Sequence, residues 1–102
     1  MTSQEQIEYI ATKVMKWHLK TYAAGAYGHW LNAKNEKIHG VGLWDPLESW
    51  DDWRQVELKI MEDRDLWYEY VSRIGSGLNM MQNELPTRVF FLIASHKKLY
   101  GK

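Results

Sequence analysis

The sequence predicts an α+β fold, a small antiparallel sheet of about three strands sandwiched by helices. Three observations carry this. Apolar residues recur at three- and four-residue spacing near both ends and in the middle of the chain. Two short apolar segments flank a polar loop of hairpin length. Glycine pairs at 40 and 42 and at 75 and 77, with a proline at 86, punctuate the rest. The expected order is helix, strand, strand, helix, then a second helix or strand, then strand and helix. A chain of 102 residues makes a single domain spanning 1–102.

Thr2-Ser3-Gln4-Glu5 fits a capping box, in which a hydroxyl and a Glu three residues on satisfy the orphan donors of a helix start. The helix that follows carries its apolar stripe on Ile7, Ile10, Ala11, Val14, Met15 and His18. Residues 22–28, with two glycines, read as a connection. His29-Trp30-Leu31-Asn32 and 38–44 are the strands of a hairpin, and glycines 40 and 42 weaken the second or mark a bulge.

Ser49 caps a second helix, with Asp51 and Asp52 in the first turn, where the helix dipole favours negative charge. Trp53, Val56, Ile60 and Met61 form its stripe, and Trp50 lies one turn earlier on the same side. The stretch 66–74 reads as helix from Trp67, Tyr70, Val71 and Ile74, though its alternation also permits a strand. A turn at 75–77 leads to a third strand at 78–82. Pro86 opens a last helix with the stripe Val89, Leu92, Ile93, His96, Leu99 and Tyr100, ended by Gly101.

Composition narrows the function. Thirteen basic residues balance thirteen acidic ones, which argues against bulk nucleic-acid binding. The absence of Cys excludes a disulfide scaffold, a thiol nucleophile and a Cys-zinc or iron–sulfur site. The start lacks the basic residues and apolar run of a signal peptide, and no stretch approaches the ~20 apolar residues of a membrane span, so the expectation is a cytoplasmic protein without membrane contact.

Six Trp and six Tyr are the feature that stands out. The segment from Trp44 to Glu57 holds three indoles and four carboxylates ahead of its last Glu. One reading is an aromatic platform for a sugar, a base or a cationic side chain. The other is that Trp50 and Trp53 close a small core while the acids solvate a helix start, and this reading leads because large aromatics are how a short chain buries enough apolar area. Trp17 also falls at a packing position. Trp30, Trp44 and Trp67 remain as ligand-binding candidates, and the solvent exposure of the three discriminates the readings.

His29 and His39, on the two hairpin strands, are able to approach each other with Asp45 shortly after, but the spacing is too loose for a metal motif and no metal or other cofactor is expected. His18 and His96 sit on apolar helical faces. Ser76 lacks the nucleophile-elbow pattern, and the glycine pairs fail the phosphate-loop templates. No catalytic residue is assigned. A hydrolase would have to draw on Asp45, Glu48, Asp51 and Asp52 with a metal.

Ile10-Ala11-Thr12-Lys13-Val14-Met15-Lys16-Trp17 resembles the opening helix of the phage ABA sandwich family, whose pattern is Ala-x-x-Val-Met-Gly-Trp. Trp44-Asp45-Pro46-Leu47, leading to Trp53-Arg54-Gln55-Val56-Glu57, is similar to that family's central signature, and Leu85-Pro86-Thr87-Arg88 to its closing helix. Lys16 stands where the family usually has Gly. The resemblance implies a small cytoplasmic protein of phages or prophages of Gram-positive bacteria, with a sheet between helices and no assigned activity. The expected function is therefore a non-enzymatic accessory protein that binds a host or phage protein or other macromolecule. The alternative is a nucleotide-like ligand binder using Trp stacking. Exposed aromatics would also favour a homo-oligomer.

Overall fold

A computed structural model describes residues 1–21, 28–75 and 84–101. Among them are four helices and a three-stranded antiparallel sheet, the α+β class that the sequence predicts. The chain forms two compact units, Met1–Asp45 and Pro46–Lys102. No helix among the described residues is long and apolar enough to cross a membrane.

In the first unit, α1 (Ser3–Tyr9) begins at the expected capping box. The Glu5 N–H donates to the Thr2 hydroxyl at 3.2 Å and the Thr2 N–H donates to the Glu5 carboxylate at 3.1 Å. It continues as a π-helical turn, Ile10–Val14, which buries Ile10, Ala11 and Val14. The helix stops here because Lys16 adopts a left-handed φ of 61° and the Trp17 N–H reaches back to the Ala11 carbonyl at 2.9 Å. His18, expected on the helical stripe, lies instead in an exposed strand, β1 (His18–Thr21).

The hairpin forms as β2 (Gly28–Leu31) and β3 (Lys37–Gly40), and the sheet order is β1-β2-β3. The Asn32 side chain shapes the loop by accepting from the N–H groups of Lys34 and Glu36. Gly28 belongs to β2 rather than to the preceding connection. A Cβ there would stand 2.4 Å from the Lys20 carbonyl oxygen, so β1 approaches too closely for a side chain. The second hairpin strand is shorter than expected, because the chain turns after Gly40 and leaves Trp44 beyond the sheet. The sheet thus takes its first strand from the end of the expected opening helix. The third strand expected at 78–82, like residues 22–27 of the connection, lies outside the described residues.

In the second unit, α2 (Trp50–Ile60) starts where Ser49 accepts from the Asp52 N–H and buries Trp53, Val56 and Ile60. The stretch that permitted helix or strand is α3 (Arg64–Ile74), capped by Asp63 accepting from the Leu66 N–H at 3.1 Å. Its end is Gly75, whose φ of 93° lies outside the ordinary range of a side-chain-bearing residue. Helix α4 (Leu85–Tyr100) carries Pro86 in its first turn and buries Val89, Leu92, Ile93 and His96 as its stripe predicts, while Tyr100 is exposed. Three polar pairs, Asp63 with Tyr100, Glu69 with Lys98 and Arg73 with Ser95, link α3 and α4 in antiparallel order.

Candidate functional site

Helical spacing dictates the site in the second unit. Trp50, Arg54, Glu57 and Met61 follow one another at three- and four-residue steps along α2 and its C-terminal cap, Leu58 lies four residues after Arg54, and Trp67 of α3 faces them. With Asp51 they line an open groove of about 440 Å³. Trp50 is 52% exposed, Leu58 58% and Met61 54%, so the groove presents apolar surface to solvent.

A buried polar chain supports this surface. The Tyr70 hydroxyl donates to Glu57 Oε2 at 2.6 Å, and Arg88 of α4 donates to the same oxygen at 2.8 Å. Arg88 is only 7% exposed, and its guanidinium lies 5.3 Å from the centre of the Trp50 ring. The cation is thereby paired with a carboxylate and faces an indole, two partners that offset its loss of water. Burial, and then the hydrogen bond to Glu57, push the Tyr70 phenol far above its usual range, so Tyr70 serves as a permanent donor. Trp53 and Trp67 flank the Tyr70 ring with centroids at 6.3 and 5.8 Å. The indole of Trp50 is thus held from beneath, with one part free to meet a partner. Arg54, exposed and without an ion pair among the described residues, adds a cation at the rim.

Of the ligand-binding candidates Trp30, Trp44, Trp67, His29, His39 and Asp45, Trp67 alone lines this groove, which also takes Trp50 of the platform reading and Asp51 of the acidic set. Trp30 and Trp44 are 2% and 1% exposed, so neither indole offers a face to a ligand. Trp44 instead joins a cluster in the first unit. Its ring meets Trp17 edge-on at 4.8 Å and stacks on His39 at 6.3 Å, and its indole N–H finds no hydrogen-bond acceptor among the described residues. The strand register pairs Trp30 with His39 and His29 with Gly40. Because alternate strand residues point to opposite faces, His29 and His39 lie on opposite sides of the sheet and do not converge. Asp45 is half-buried, and among the described residues no group of three His, Asp or Glu side chains is arranged to hold a metal ion.

Trp50 was expected in the core, and its exposure is what the sequence reading misses. Its place in the first helical turn, followed at once by Asp51 and Asp52, is the signal that points outward. Comparisons with protein-family models, with curated proteins and with solved structures find no match to this chain.

Proposed function

We propose that this protein is a non-enzymatic binding protein that engages a protein partner through the groove of α2 and α3. The observation that carries the proposal is the half-exposed Trp50, held by buried Arg88 beside Leu58 and Met61. Trp, Met and Arg are the side chains enriched at the centres of interfaces, and a pre-positioned indole loses little freedom on docking. The groove suits an apolar anchor side chain, with a carboxylate near Arg54. The resemblance to the phage ABA sandwich family extends the proposal to an accessory protein of phage or prophage origin acting in the host cytoplasm.

The test is affinity capture from a phage-infected Gram-positive host with the wild type, Trp50→Ala and, as a control on another exposed aromatic, Phe90→Ala. A partner retained by the wild type and Phe90→Ala but lost with Trp50→Ala supports the proposal. Equal retention by all three refutes it.

A second reading rests on Trp50 and Trp67 lining the same groove, where two indoles and Arg54 suit a stacked nucleobase with its phosphate. A nucleotide panel read by Trp fluorescence and melting temperature tests it, since a ligand that binds only the folded state must raise that temperature. No shift across the panel eliminates this reading.

A further inference from the structure

The first unit carries a surface of different character. Strand β1 is at the edge of the sheet, and all four of its residues are exposed. Among the described residues no strand pairs with its other side, which leaves the backbone donors and acceptors of that side without a strand partner within the described sheet. The register pairs His18 with Leu31, Leu19 with Trp30 and Lys20 with His29. His18 and Lys20 therefore share one face of the sheet, and Leu19 points to the other.

Beside β1 lies a hollow of about 500 Å³ lined by His18, Leu19, Lys20, Leu31, Asn35 and Lys37. Among the described residues no carboxylate lines it. The surrounding sequence is one-sided as well, since Lys13, Lys16, Lys20, Lys34 and Lys37 stand against a single acid, Glu36, between residues 13 and 40. Glu36 itself accepts a hydrogen bond from the Asn32 amide at 3.1 Å.

We infer that the open edge of β1 is a docking site for an extended acidic peptide, which adds to the sheet as a further antiparallel or parallel strand. Main-chain hydrogen bonds hold the peptide, and its alternate side chains read the two faces. Acidic residues at every second position meet Lys20 and the imidazole of His18, and apolar residues between them lie against Leu19. A second copy of this chain is disfavoured, because antiparallel pairing of two β1 strands centred on Lys20 sets Lys20 against Lys20, and like charges directly opposite destabilise a strand pair. A lysine on an edge strand also discourages indiscriminate pairing, which leaves the edge selective for acidic partners. The inference rests on the Met1–Asp45 unit alone and stands or falls apart from the groove of α2 and α3.

The experiment is fluorescence anisotropy with a fluorescein-labelled peptide of alternating Glu and Val. Two further peptides carry N-methyl groups on one or the other set of alternate backbone nitrogens. The expected result is binding of the parent peptide, loss with one N-methylated peptide and retention with the other, because a strand shows alternate N–H groups to each side. Lys20→Glu weakens the parent by about tenfold or more and Lys20→Gln by less. Circular dichroism verifies that both variants fold. Absence of binding, equal binding of both N-methylated peptides, equal binding of a peptide with its Glu and Val in separate blocks, or tighter binding of a labelled single-stranded oligonucleotide each overturn the inference.

Discussion

Replacing Arg88 by Met tests whether the groove's foundation is electrostatic. Met retains the length of the stem and removes the guanidinium, so the loss of packing is small while Glu57 loses a donor at 2.8 Å. Removing one partner of a fully buried pair costs about 3–5 kcal/mol. Here the Glu57 side chain is 21% exposed, and the Tyr70 hydroxyl remains as a donor, which reduces the figure to about 2–3 kcal/mol. Loss of the cation beside the half-exposed Trp50 adds about 0.5 kcal/mol. The expected total of about 3 kcal/mol lowers the melting temperature by about 12–24 °C, given the usual 4–8 °C per kcal/mol for a domain of this size. Urea denaturation followed by Trp fluorescence measures it. The double variant Arg88→Met with Glu57→Leu removes both charges and should lose at least about 1 kcal/mol less than the sum of the two single variants. A single-variant effect below about 0.5 kcal/mol, or strict additivity in the double, refutes the assignment of this chain as the support of Trp50.

Three further outcomes follow from local geometry. The Tyr100 hydroxyl donates to Asp63 and holds its carboxyl below the usual carboxylate range, so the resulting stability is present above about pH 4 and is lost as pH falls through the depressed folded value. Asp63→Asn keeps a capping side chain but not the charge, and its deficit against the wild type, less than about 1 kcal/mol for this solvent-screened contact, should close on acidification; a deficit independent of pH contradicts the linkage. Gly28→Ala drives a Cβ against the Lys20 carbonyl and should cost about 1–3 kcal/mol in chemical denaturation, with unchanged stability refuting the close approach of β1. Lys16→Gly relieves a left-handed residue and should raise stability by about 0.5–1 kcal/mol, net of the greater freedom of Gly in the unfolded chain; a loss of stability contradicts that origin.

Position 16 has a positive φ in this chain, and Lys16 occupies it at some strain. A glycine there would have announced the end of the opening helix. Without it, periodicity alone carries the stripe on to His18, which is why β1 is not legible in the sequence.

What the sequence determined by itself is local. The caps at Thr2 and Ser49, the stripe of α4, the acidic first turn of α2 and the hairpin around Asn32 all arise from residues within a few positions of one another, and each appears in the structure. The fold class follows from those elements. Which large side chains are covered depends on segments distant in sequence. Trp30 and Trp44 are as aromatic as Trp50, yet they are buried and Trp50 is half exposed. Strand register likewise decided that His29 and His39 face apart, because a shift of one residue exchanges the two faces of a strand. The groove over Glu57 and Arg88 exists only because α2, α3 and α4 bring together residues 50, 57, 70 and 88, a convergence set by packing that no local pattern encodes.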